Sequence, residues 1–184
     1  MQKKVIIKRI IITIALLTFL VFIIPIPINR VYDAIEIKLD DPNYLVECQV
    51  KIKGKYQINL FTDDSFVGQI SVSDYKLTNE KMDNVYFSDI GCPLFYTYTS
   101  GYDTDGRVKR YDYCLGRMYS KPLFRQMTIT VFSDNPLNKA EGGKTQGSWG
   151  TWNERNGYCI VPLADTREEA INKLIKYKVI RSSP

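Results

Sequence analysis

The chain has 184 residues and no histidine. That absence excludes more chemistry than any residue present suggests. Ser-His-Asp and Cys-His nucleophilic sites need an imidazole base, imidazole is a common ligand of catalytic zinc, and the side chain that titrates nearest neutrality is missing from any acid–base scheme. Cysteine is scarce. Cys48, Cys92, Cys114 and Cys159 are far apart with no C-x-x-C, so the paired spacing of a four-thiolate zinc site is absent. There is no N-x-[ST] sequon, internal repeat or low-complexity tract. Excess charge is missing too. The net charge is +5, but Met1–Arg9 carries +4, which leaves +1 for the remainder. A basic stripe that would neutralise phosphates is therefore not there, and nucleic acid is not an expected partner.

What the sequence does have is one long apolar run. Ile10–Ile28 reads IIITIALLTFLVFIIPIPI, without a charge, behind Lys3, Lys4, Lys8 and Arg9. As helix it would cover roughly 28 Å at about 1.5 Å per residue, against a hydrocarbon core of roughly 30 Å. Pro25 and Pro27 should end the helix near Ile24, so the span must start as early as Val5, with Lys8 and Arg9 snorkelling to the interface. This reading gives a cytoplasmic basic flank (1–9), a transmembrane anchor region (5–28) that contacts the lipid bilayer, and an extracytoplasmic domain (29–184). The N-terminus lies inside by the positive-inside tendency. A cleaved signal peptide is the rival; the residues after Ile24 offer it no small-x-small cleavage site.

The remainder suits one domain with a real core. Val46, Cys48, Val50 and Ile52 alternate with Glu47, Gln49, Lys51 and Lys53, a half-buried strand. Val31, Ile35, Ile37 and Leu39 suggest that the tether joins the sheet. Gly54-Lys55 predicts a two-residue hairpin turn, leading to a second strand through Tyr56, Ile58 and Leu60. Further strands are expected at Phe66–Val72, from Val85 to Phe87, on both sides of a hairpin around Tyr102–Gly106, at Phe124–Ser133 and at Tyr158–Leu163. Gly116 predicts a bulge. Thr166 with Glu169 forms a capping box that opens an amphipathic helix over about 166–178. The fold expected is mainly β: an antiparallel sandwich or a partly open barrel, with a C-terminal amphipathic helix and one preceding N-terminal transmembrane helix.

Three motif fragments fail on their own terms. Gly143-Lys144-Thr145 lacks the earlier glycine and following helix of a P-loop, so no nucleotide is expected. Asp103-x-Asp105-Gly106 opens like a calcium loop, but Arg107 stands where a third ligand should be and Cys114 where the closing Glu belongs; Asp-Gly also reads as a hairpin. Asp63 and Asp64 are adjacent turn acids, the usual solvated kind. No cofactor and no metal are implied.

The residues left for recognition are aromatic. Tyr96, Tyr98, Tyr111 and Tyr113 fall on paired strands, and Trp149 and Trp152 lie in a glycine-rich stretch; together they form the candidate contact surface, with sheet packing as the plainer alternative. Outside the membrane two disulfides are plausible, with buried thiols as the alternative; of three connectivities, Cys92–Cys114 with Cys48–Cys159 is preferred. The stretch KIKGKYQINLFTDDSFVGQISVSDYKLT, with the closing YCIVPLADTREEAINKL, resembles small membrane-anchored β-rich proteins of low-GC Gram-positive bacteria. That resemblance implies an N-terminal hydrophobic segment and a β-rich domain, and no activity. The function expected is non-enzymatic binding at the cell envelope, of an envelope protein or a wall polymer. The alternatives are a histidine-independent carboxylate hydrolase and an immunity or inhibitor protein that binds an exported partner.

Overall fold

The computed structural model describes residues 6–14, 24–132 and 151–181. Residues 6–14 are helical (α1) and exposed. Nine residues cover about 13 Å, and among the described residues no helix is long and apolar enough to cross a membrane. Residues 15–23 of the expected span lie outside the described residues.

The far limit of that span needs correction. Strand β1 is Ile26–Lys38. It takes in Pro27 and Ile28, and Ile28 is buried in the core. The domain therefore starts at Ile26. Pro27 is tolerated because β1 pairs only with β2 there; pairing with β9 is confined to Ala34–Lys38, so the Pro27 edge has no second ladder to supply.

The remaining strands are β2 (Asp41–Gln57), β3 (Ser65–Val72), β4 (Lys81–Met82), β5 (Val85–Tyr86), β6 (Cys92–Tyr102), β7 (Val108–Ser120), β8 (Met127–Val131) and β9 (Tyr158–Pro162). They form a single antiparallel sheet in the order β4-β6-β7-β8-β9-β1-β2-β3-β5. One continuous sheet rules out the sandwich. β1 to β3 and β6 to β9 each run as a meander, β9 returns to the free edge of β1, and the short β4 and β5 lie at the two edges of the sheet. The sheet curls into a half-barrel, and its open seam lies between β3 and β6. Across the seam the Tyr96 hydroxyl donates to Ile70 O at 2.7 Å. The segment between β3 and β6 closes it further: β4 pairs with β6 and β5 with β3.

The register gives the half-barrel two ends. At the near end β1 begins, β2 gives way to β3, β5 to β6, and β7 to β8. The opposite end carries the β1–β2 turn and the β6–β7 hairpin. An aromatic plug of Tyr56, Phe66, Phe87 and Phe124 fills the near end, with three edge-to-face contacts onto Phe124 at 4.9–5.9 Å. The Phe124 turn has positive φ at both Leu123 and Phe124. Arg30 Nη1 donates to Leu123 O at 2.9 Å and the Tyr32 hydroxyl to Phe124 O at 2.7 Å, and these bonds hold that backbone.

Two predicted features shift. β2 runs straight through Gly54-Lys55, so there is no hairpin there. Gly54 instead faces Gly68 across the β2–β3 ladder. A Cβ on Gly54 would stand 2.7 Å from both Gly68 Cα and the tip of the Phe66 ring, so the glycine makes room for close approach. On β1 the inward face is Ile28, Ala34 and Glu36, whereas Ile35 and Ile37 point outward. Val31 is exposed. The outward residues are buried because helix α2 (Arg167–Lys176) covers them with Ala170 and Leu174, together with Val161, Ala164 and Val179. Thr166 caps α2 as expected: its Oγ1 accepts the Glu169 N–H at 3.3 Å, and Lys173 and Lys176 lie in the last turn, where the helix dipole favours cations. Lys178 falls beyond the helix with φ +57.

The bulge expected at Gly116 is there. Leu94 pairs with Gly116 and Phe95 with Cys114, which leaves Leu115 as the extra residue. Gly116 has φ +154, and a Cβ there would lie 1.8 Å from Thr130 O. Gly116→Ala is expected to lower unfolding stability by about 3 kcal/mol through overpacking and strain. Gly101→Ala, also at positive φ but with nothing within 4 Å, should cost about 1–2 kcal/mol. Urea midpoints of the two variants check the ranking; equal losses would contradict it.

Candidate functional site

The β6–β7 hairpin outruns its neighbours. β8 pairs with β7 only from Ser120 back to Gly116, and β4 covers only Tyr96 and Thr97 of β6. From Tyr98 to Tyr111 the ribbon has no neighbouring strand among the described residues. Its two strands hold together through the Tyr98 and Tyr111 rings, stacked at 5.4 Å and 22°, and through Thr97 Oγ1 donating to Asp112 Oδ1 at 3.1 Å. Cross-strand aromatic pairs of this kind stabilise an isolated ribbon by about 0.2–1 kcal/mol. The tip is shaped by Asp103, whose Oδ1 accepts the amides of Asp105 at 2.9 Å and Arg107 at 2.7 Å. That carboxylate serves the turn. Tyr102 is 71% exposed, and Arg107, Lys109 and Arg110 stand exposed beside it. The ribbon thus presents aromatic faces and cations, a mixture suited to stacking and anion contacts.

The predicted contact surface divides. Tyr98 and Tyr111 sit half-buried on the ribbon. Tyr96 and Tyr113 do not belong to a surface: both are buried in the core, with ring centroids 6.0 Å apart. The bulge turns Tyr113 inward along with Leu115. Trp152 is half-buried; its indole N–H donates to Tyr158 O at 3.1 Å and its ring packs against the outer core. It closes a gap in the fold and is not displayed. Trp149 lies outside the described residues, as does Gly143-Lys144-Thr145. Asp64 is structural, accepting from the Tyr56 hydroxyl at 2.7 Å and the Asn59 amide at 2.9 Å.

One buried polar group was not foreseen. Glu36 is 2% exposed. Its Oε1 accepts from Tyr44 at 2.8 Å and its Oε2 from Tyr75 at 2.9 Å, so each carboxylate oxygen has a partner in the core. Burial, and then the nearby Glu36 charge, push the Tyr75 phenol well above its usual range. The signal was present in the alternation of Ile28, Tyr32, Ala34 and Glu36, but the outward isoleucines of the same strand masked it.

A cleft of about 480 Å³ opens beside β1, β2 and the segment leading to α2, with Asp33, Glu47 and Asp165 among its lining. All three acids are exposed. Gln49 Nε2 donates to Asp33 Oδ1 at 3.0 Å. Among the described residues no three acidic or thiol groups are arranged to hold a metal ion.

The expected disulfides are not formed. All four cysteines are buried thiols. Cys48 belongs to the inner core and Cys159 to the outer one. Cys92 points inward, whereas Cys114 lies between the inward Tyr113 and Leu115 and so faces the other side. Each expected pair is split by the sheet itself. Burial raises these thiols from 9.0, to about 12 for Cys48, Cys92 and Cys159 and to about 11 for Cys114.

No protein-family model matches the chain, and neither the curated proteins nor the solved structures provide a match.

The thiols yield a test. Unfolded without reductant, the chain should show four free thiols; folded at pH 8, it should react with a thiol reagent far more slowly. A thiol whose pKa is raised on folding keeps its proton in the native state after the unfolded chain has lost it. Stability is therefore untouched below pH 9 and falls as pH rises above it, by up to about 1.4 kcal/mol per pH unit for each such thiol. Urea midpoints should be level from pH 7 to 8.5 and drop steeply by pH 10; a level profile through pH 10 would contradict the burial of these groups.

Proposed function

We propose that the chain is a single-pass membrane protein, N-terminus in the cytoplasm, whose extracytoplasmic half-barrel is a non-enzymatic binding module for an envelope protein or a wall polymer. The apolar run behind a basic cluster supports the anchor. The observation that carries the binding role is the ribbon from Tyr98 to Tyr111. It reaches past both neighbouring strands at the end of the half-barrel opposite Ile26, where the domain begins. A domain tethered at Ile26 would hold the Tyr98–Tyr111 stack, Tyr102 and the adjoining cations away from the bilayer, toward the wall.

The second reading, a carboxylate-based hydrolase, is favoured by the cleft shared by Asp33, Glu47 and Asp165. Without histidine, a carboxyl pair would have to supply both acid and base.

In intact cells expressing a C-terminally tagged chain, external protease should remove the tag; a tag that survives opposes the external placement. Tyr102→Ala should weaken capture of the envelope partner by about tenfold or more, the scale of an interface aromatic, with the urea midpoint little changed, whereas Tyr98→Ala should also lower the midpoint because its ring stacks on Tyr111 and packs against the core. For the hydrolase reading, wild-type protein should cleave envelope glycans and Glu47→Gln should slow cleavage by about 100-fold or more; no cleavage by wild type removes that reading.

A further inference from the structure

We infer that the loop between β2 and β3, with Leu60 and Phe61 at its tip, seats in the headgroup region of the lipid bilayer beside the anchor. This rests on the reading of the apolar run as a membrane anchor and adds a second contact with the same membrane. Phe61 is 96% exposed and Leu60 54%. Single exposed apolar residues need no explanation, but this pair is held outward by a built loop. The Asp64 carboxylate ties Tyr56 to the Asn59 amide, Asn59 Nδ2 donates to Asp63 O at 2.9 Å, and the Phe87 amide donates to Asp64 O at 2.9 Å. The tip is displayed by a clamp and is not a frayed end.

Its position names the occupant. Ile26, the first residue of β1, pairs with Tyr56, near the end of β2. Only Pro25 separates Ile24 from β1, a step of at most about 7 Å. Any bilayer that holds the apolar run therefore meets this end of the half-barrel. Strand β5 and its connection to β6 add exposed apolar groups at the same end, Tyr86 and Ile90. Lys121 and Arg125 in the β7–β8 turn are exposed there too, which suits anionic headgroups. Asp63 and Asp89 are exposed in the same loops, so apolar insertion leads and charge assists. Aromatic and apolar groups beside cations are what a membrane interface selects.

The test uses the full chain in vesicles of phosphatidylcholine and phosphatidylglycerol. Phe61→Cys carries an environment-sensitive nitrobenzoxadiazole label, Leu60→Cys is a second site, and Thr104→Cys at the ribbon tip is the distant control; wild type, with its buried thiols, gives the labelling background. A tip about 5–10 Å into the headgroup boundary should give blue-shifted emission at 60 and 61. Quenching by lipid-borne doxyl groups should there be several-fold stronger than at 104. Water-like emission at both loop sites, in chains that resist alkaline extraction, overturns the loop inference alone. Blue-shifted emission without doxyl quenching also overturns it, because the tip would then be buried against protein. Release of unlabelled wild type by alkaline extraction overturns the anchor reading, and the loop inference with it.

Discussion

The structure depends on the pairing of β9 with the open edge of β1. A meander of antiparallel strands has two exposed edges, each an unpaired row of amides and carbonyls. Here the last strand returns to the first, with Ala34–Lys38 opposite Tyr158–Pro162. Both termini of the meander thus become interior to the sheet. The remaining edges are β4 and β5, two residues each, and the connection that contains them crosses the seam. The inner space that this curl creates is filled by side chains: aromatics at the near end, and Tyr96, Tyr113 and the Glu36–Tyr44–Tyr75 group toward the other.

The same pairing explains why β1 is buried on both faces from Ala34 to Ile37. β9 brings α2 with it, because only Leu163 to Thr166 separate them. The helix has one place to lie, over Ile35, Ile37 and Val161. Two hydrophobic layers therefore share one sheet: a large one within the curl and a small one beneath the helix. Cys48 and Cys92 lie in the first layer and Cys159 in the second, while Cys114 faces away from Cys92, so the expected partners are kept apart.

The strands whose outer face is wet were legible in the sequence. β2 and β3 alternate cleanly because only their inner face is covered. The capping box of α2, the Gly116 bulge and the Asp103–Gly106 turn were also legible, since each is a local signal with a local cause. What the sequence concealed was long-range. Which face of β1 looks inward is not visible locally, because its outward isoleucines meet a helix more than a hundred residues later. Gly54 mimics a hairpin, because a glycine that admits a phenyl ring and one that admits a turn look the same in one dimension. Tyr98 and Tyr111 read no differently from Tyr96 and Tyr113. Only the termination of β4 and β8 separates ribbon from core. The Asp33, Glu47 and Asp165 cleft had no local signature, because its acids come from three separate stretches.

The route of the chain through β1 also has a mechanical consequence. Load arriving at Ile26 runs along the strand axis, while the ribbon at the opposite end would take the reaction force. β1 is then pulled in shear between β2 and β9. Ladder bonds lie across the strand direction, so they resist together instead of opening one at a time like a zipper. From Ile26 to Ile37 the β1–β2 register is unbroken. If the chain is anchored at Ile26 and held through the ribbon, as proposed, this ladder would carry the tension, and the domain would give way more readily to a pull that peels the short edge strands β4 and β5 from the seam.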